Sequence, residues 1–319
     1  MSALRVERYE HDRRKDWDQW IRLSKNGTFL LLRDFMEYHA DRFTDCSLMV
    51  WDDRQLVAVL PASIHEEPEG RQLRSHGGLT YGGLIVDSRM GAQGVLTVLE
   101  EICHFARREL GVKSLLYKAI PSIYHKLPSQ EDLYALFRLD AQLVRRDVAS
   151  TVKLASRLPL TKGRKWAIKQ GRSHGIQVQL SSDWSAFMEM EAALLMEKYG
   201  VRPVHTGGEL AMLAARLAGS IALYTATLSG ELLGGTVIFD CGGCVHAQYI
   251  SSTPRGRELC ALDALFSWLL DDVYASREWF DFGISTEQSG RYLNSGLAAN
   301  KESWGARSVV YDQYLVSLT

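Results

Sequence analysis

The chain has 319 residues, 46% of them hydrophobic, which is long enough for two domains of ordinary size. Lysine and arginine total 37 against 38 aspartates and glutamates, so net charge supplies no pull toward nucleic acid or an anionic membrane. The N-terminal stretch MSALRVERYEHDRRKDWDQW has no apolar core and no run approaches a membrane span, so neither a signal peptide nor a transmembrane helix is expected, and a cytoplasmic protein is. Five cysteines without framework spacing fit reduced thiols; Cys46 and Cys103 stand in apolar company. Cys241 and Cys244 form a CxxC inside a predicted hairpin turn, with no second pair, and no metal is expected there.

In chain order, a short helix is predicted over Trp17 to Ser24. The segment Gly27 to Phe43 passes from an apolar run into a second helix capped near Asp34. Strands over Ser47 to Trp51 and Leu56 to Ala62 form a hairpin, and a further strand pair around Gln72 to Val86 contains the glycine-rich run SHGGLTYGGLIV. Gly94 to Leu110 repeats apolar residues at helical spacing and ends at Gly111. A strand over Ser114 to Ile120, a helix over Gln130 to Arg138 and a long strand over Ala141 to Leu154 follow.

The second half repeats that order. Lys162 to Ser173 is a basic helix, Ile176 to Leu180 a strand and Trp184 to Tyr199 a helix. Ile221 to Leu228 and Leu232 to Phe239 make a second hairpin around Ser229 to Glu231. The recurrence of hairpin, helix and strand at nearly constant offset implies two copies of one α/β fold, 1–156 and 157–319, each a mixed sheet flanked by helices.

The stretch from Val245 to Ser285 is a βαβ unit. Val245 to Ser251 alternates, placing His246, Gln248 and Ile250 on one face and Val245, Ala247, Tyr249 and Ser251 on the other. Thr253 to Arg257 reads as a turn, and Ala261 opens a helix with apolar residues at helical spacing. The helix N-terminus beside Arg255, Gly256 and Arg257 suits a phosphate. Trp279 to Ile284 is the next strand.

With His246-Ala247-Gln248-Tyr249 on the central strand, Asp281-Phe282-Gly283 on the later one and Lys301-Glu302-Ser303-Trp304-Gly305 near the end, the chain resembles a tandem GNAT acyltransferase. It is closest in pattern to the group of the Fem-type peptidyltransferases of cell-wall synthesis and the acetyltransferases of polysaccharide gene clusters. The resemblance implies that acyl-coenzyme A (acetyl-coenzyme A) binds where two central strands splay, with its pyrophosphate at the start of the following helix, here Ser252 to Ala261. PRGRELCA supplies arginines and Gly256 but departs from the strict spacing of the usual acyl-coenzyme A turn. No inserted two-helix arm, common in Fem-type proteins that use aminoacyl-tRNA, is visible. The basic helix Lys162 to Ser173 reads first as a solvated face and second as an RNA contact.

Acyl transfer to an amine needs a proton acceptor and donors for the developing oxyanion. The expected base is His246, with Glu287 second. Donor binding is expected at Gln248, Ser251, Ser252, Arg255, Gly256, Arg257, Ala261, Tyr292 and Lys301, the last paired with Asp281 or a phosphate. An acceptor pocket is expected from Arg33, His76, Tyr81, His205 and Asp281, with the first domain contributing acceptor contacts and no donor site. The leading expectation is an acyl-coenzyme A-dependent N-acyltransferase acting on a small or nucleotide-linked amine, such as an amino sugar for surface polysaccharide. Aminoacyl-tRNA as donor is the alternative, and a non-catalytic ligand-binding module the third reading.

Overall fold

The computed structural model describes residues 4–318. The chain forms two compact units, one of residues up to 147 with 287–292 and from 310 on, the other of residues 148–286 and 293–309. The division falls inside the long strand Gln142–Lys153 rather than at 156/157, and the last strand, Arg307–Ser317, passes from the second unit back into the first.

In the first unit an antiparallel sheet runs in the order Leu4–Arg8, Leu48–Asp52, Gln55–Leu60, Ile85–Val86. The predicted strand pair around Gln72 to Val86 is not formed. Gly70–Arg74 pairs instead with Ser63–Glu67 and, in parallel, with Ser114–Lys118, and most of the glycine-rich run is irregular. Arg33–Met36 is a single helical turn entered from Leu32, without a cap at Asp34. The helix Ala92–Leu110 has Val95, Val98, Leu99, Ile102 and Ala106 on its buried side and stops where Gly111 turns left-handed. These residues share one core with Leu48, Val50, Leu60, Tyr117 and, from the returning strand, Val316.

In the second unit the strands follow the order Gln177–Ser181, Ile221–Leu228, Glu231–Asp240, Cys244–Ser252, Trp279–Ile284 and the second half of Gln142–Lys153. All pairs are antiparallel except Cys244–Ser252 with Trp279–Ile284. Two adjacent glycines show how the helices are distributed. A Cβ on Gly234 would meet Leu262 at 3.2 Å, whereas one on Gly235 would meet Phe187 at 3.0 Å. Successive strand residues point to opposite faces, so the helix Ala261–Trp268 covers one face and Trp184–Tyr199 the other. The predicted turn after Ser252 is itself helical, Pro254–Glu258, capped by the Thr253 side chain and entered through proline.

The alternation along Cys244–Ser252 is broken by a bulge at Gln248: Tyr249 pairs with Val237 and Ala247 with Ile238. Ile250 therefore packs on the same cluster as Val245 and Ala247, and Tyr249 joins the face of His246, opposite to the unbroken alternation expected. Among the described residues no helix is long and apolar enough to cross a membrane.

Candidate active site

The parallel pairing of the two central strands is short. Cys244, Val245 and His246 match Trp279, Phe280 and Asp281, and the paired register ends there. Cys244–Ser252 runs on beside Glu231–Asp240, while the backbone of the other strand swings away at Gly283, which has a φ of 75°. The strands part at His246 and Asp281.

At that fork His246 Nδ1 lies 2.8 Å from Asp281 Oδ2, and Asp281 Oδ1 accepts from the Gly283 N–H at 2.8 Å. Asp281 is fully buried. A carboxylate in its ionised form only accepts hydrogen bonds, so beside it the neutral imidazole tautomer with its proton on Nδ1 is favoured, which presents the Nε2 lone pair. Gly283 is needed here, since a Cβ would stand 3.3 Å from His246 Cε1 on a left-handed backbone.

Beyond the fork a cavity of about 450 Å³ opens on the face of the helix Ala261–Trp268. Ile250, Leu262, Phe266, Phe282 and Trp304 form its apolar wall, and Ser252, Gly256 and Arg257 its rim on the strand side. Phe282 stacks on Trp304 with ring centroids 6.2 Å apart. Arg257 donates to the Ser252 carbonyl at 2.8 Å. Arg164 lies over the Trp304 ring at 4.5 Å, ion-paired to Asp263 and donating to Ser303 Oγ at 2.9 Å. Gly256 allows the rim to close, because a Cβ there would fall 2.0 Å from the Leu233 carbonyl oxygen.

Lys301, in the helix Ser295–Glu302, donates to the carbonyls of Gly283 at 2.9 Å and Ile284 at 2.6 Å. It thus bonds the diverging end of the strand. Burial pushes its pKa down to about 8, opposed by the nearby charge of Asp281.

Of the residues expected at the site, His246 and Asp281 meet at the fork, and Ser252, Gly256, Arg257 and Lys301 line the cavity. Arg255 is exposed and ion-paired with Glu231, and Ala261 is core. The bulge puts Tyr249 and Ser251 on the face of His246, away from the cavity; Gln248, at the bulge, approaches the Tyr249 hydroxyl. His205 is buried there, its Nδ1 2.7 Å from that hydroxyl. Glu287 and Tyr292 are exposed residues of the first unit.

In the first unit Arg33 is fully buried, held between the Tyr9 and Trp17 rings at 3.3 and 3.9 Å and ion-paired to Asp45. It is a core cation. His76 is buried with its carbonyl bound by Lys118 at 3.0 Å, and buried Tyr81 donates to Thr28 at 3.0 Å. None of the three lines a cavity described above. Among the described residues no three His, Cys, Asp or Glu side chains come together to hold a metal.

Sequence reasoning missed Arg164, Leu262, Phe266 and Asn300 as cavity residues. Periodicity marks Leu262 and Phe266 only as core, and nothing separates Arg164 from its basic neighbours.

Residues 160–292 match the family described as acetyltransferase (GNAT) domain. Among curated proteins none matches the chain. Solved structures do. FemX is similar with a TM-score of 0.67 at 12% identity, covering 97% of this chain and 96% of its own. The L-PGS structure from Bacillus licheniformis gives 0.58 at 14%, covering 98% and 92%, and a tandem GNAT protein from the clavulanic acid biosynthesis pathway 0.55 at 11%, covering 99% of both. The fold is thereby defined as that of the tandem GNAT proteins, with residues 160–292 matching a GNAT acetyltransferase domain.

Proposed function

We propose that this protein transfers an acyl group from acyl-coenzyme A to an amine in the cytoplasm, with donor binding and chemistry in the second unit. The observation that carries this reading is the cavity on one face of the forked strands, with apolar walls and a guanidinium at its rim, while the His246–Asp281 pair stands at the fork on the other face. Its residues fit the donor. Apolar walls suit an acyl–pantetheine arm, and Arg257 suits a phosphate. Backbone N–H groups of Cys244–Ser252 past the fork are placed to stabilise the thioester oxygen as it gains charge.

His246 is the base. Asp281 fixes its tautomer, so Nε2 takes the proton from the acceptor nitrogen and Asp281 stabilises the imidazolium that results. Ser252, Gly256 and Lys301 shape the donor site, the last by holding the carbonyls of Gly283 and Ile284. An amino sugar for surface polysaccharide is one acceptor this reading admits.

A second reading replaces the donor with aminoacyl-tRNA. It is favoured by one surface: Lys162, Lys165, Trp166 and Lys169 share an exposed face of the helix Lys162–Ser173, with Trp166 61% exposed.

Thermal stability with coenzyme A, acetyl-coenzyme A, and charged or deacylated tRNA separates the two. Stabilisation by coenzyme A that weakens about ten- to a hundredfold in Arg257→Ala supports the first reading. A salt-sensitive response to charged tRNA, lost in Lys165→Ala plus Trp166→Ala and without any coenzyme A response, selects the second.

A further inference from the structure

The opposite face of Cys244–Ser252, away from the cavity, holds polar groups that the donor reading does not use. Glu191, in the helix Trp184–Tyr199, is buried against this face. Burial pushes its carboxyl up from the ordinary value and Ser251 draws it part of the way back; no lysine or arginine acts on it. Ser251 is 3% exposed, and its Oγ makes no hydrogen bond of normal geometry even to that carboxyl. Gln248 Oε1 is buried without a partner as well. The Tyr249 hydroxyl beside them is already engaged with His205 at 2.7 Å.

The cluster is rich in acceptors and lacks a cation. A carboxylate taken out of water without a counter-charge is costly, and buried acceptors without donors add to that cost. The complementary group is small, positively charged and carries several N–H donors. An ammonium has three. A groove lies beside it: His205 belongs both to this cluster and to a groove of about 460 Å³ whose walls include Met188, Ala192, Met196 and Pro203, with Glu189 and Arg202 among its polar lining. Such a groove takes an apolar body.

We propose that the acceptor is a primary alkylammonium, its charged nitrogen held by Glu191 with Gln248 Oε1 and Ser251 Oγ, and its apolar body in the Met188–Met196 groove. The proposal rests on the acyl-transfer reading and narrows its acceptor class, since donor and acceptor then approach the same strand from opposite faces. In the transfer the nitrogen–carbon bond forms as the carbon–sulfur bond of the thioester breaks. The ammonium loses two protons, one ending on the departing thiolate and one in solvent.

Hexylammonium chloride and 1-hexanol are matched probes that differ in charge. The test is the thermal stability of the wild type, Glu191→Gln and Ser251→Ala with each probe, and separately with coenzyme A. The wild type should respond to hexylammonium at about a hundredfold lower concentration than to hexanol, Ser251→Ala at about tenfold lower, and Glu191→Gln equally to both. Coenzyme A should stabilise all three proteins alike. Equal wild-type responses to the two probes overturn the proposal, as does a Glu191→Gln protein that keeps the preference. If Glu191→Gln fails to fold, an unchanged preference in Ser251→Ala overturns it. A missing coenzyme A response with the ammonium preference intact removes the donor reading and leaves the acceptor site standing.

Discussion

His246 shows how much a single partner can decide. A histidine on a central strand is ambiguous by itself, whereas one whose Nδ1 faces a fully buried carboxylate at 2.8 Å has its tautomer chosen. His246→Ala should lower the transfer rate by about a hundred- to ten-thousandfold while coenzyme A still stabilises the protein, as measured by thiol release and melting. Asp281→Asn should also lower the rate without abolishing donor binding, because an amide can present its N–H to Nδ1 and turn the proton to Nε2. Lys301 offers a pH test. Its pKa is pushed below the ordinary value to about 8 by burial, so the unfolded chain holds that proton more tightly. The resulting penalty is fully present below about pH 8 and is relieved as pH rises toward the unfolded value of 10.5. The stability of the wild type relative to Lys301→Met should therefore rise across that window in urea titrations. Below it the variant still leaves two carbonyls without their donor, at about 1–3 kcal/mol each. His246 could be singled out from the sequence, but its pairing with Asp281 could not, because it depends on which strand lies alongside. The bulge at Gln248, which reversed the faces of Tyr249 and Ile250, had no signature in the local alternation.

At the scale of elements, the helix Lys162–Ser173 has its start in the residues themselves: Thr161 caps it through the Arg164 N–H, and Ile168 and Gly171 lie on its buried side. Its two glycines differ only in surroundings. A Cβ on Gly163 meets nothing within 4 Å, whereas one on Gly171 would stand 2.4 Å from the Cys260 carbonyl oxygen. Gly163→Ala should stabilise the protein by about 0.5–1 kcal/mol through helix propensity, and Gly171→Ala should destabilise it by more than about 1 kcal/mol through overpacking, both read from denaturant midpoints. That contrast could not be read from the sequence, since the carbonyl belongs to a residue that adopts a left-handed φ of 56° at the start of a different helix. The glycine-rich run SHGGLTYGGLIV misled for a related reason. Its alternation is compatible with strands, but buried Tyr81, the carbonyls claimed by Lys118 and the Leu84 N–H bound by Tyr117 hold it in irregular conformations.

For the whole molecule, the returning strand matters most. Residues 310–317 belong to the first unit, where Gln313–Ser317 pairs with Ser114–Lys118 and Val316 enters the core. A fragment of residues 1–156 should therefore lack a cooperative urea transition, and addition of a peptide spanning 307–318 should restore one; a cooperative transition without the peptide would show that the strand is dispensable. Local periodicity and punctuation were enough to establish most helices and strands, the repeated hairpins, and with them the tandem α/β architecture, because each rests on residues within a turn or two of one another. Only the tertiary structure decided where the two central strands part, that His246 meets Asp281, that Arg164 and Trp304 close the cavity, and that Glu191 is buried beside Ser251. Each of those depends on contacts between residues far apart in the chain, and burial and electrostatics act on distance in space, which no pattern along the sequence records.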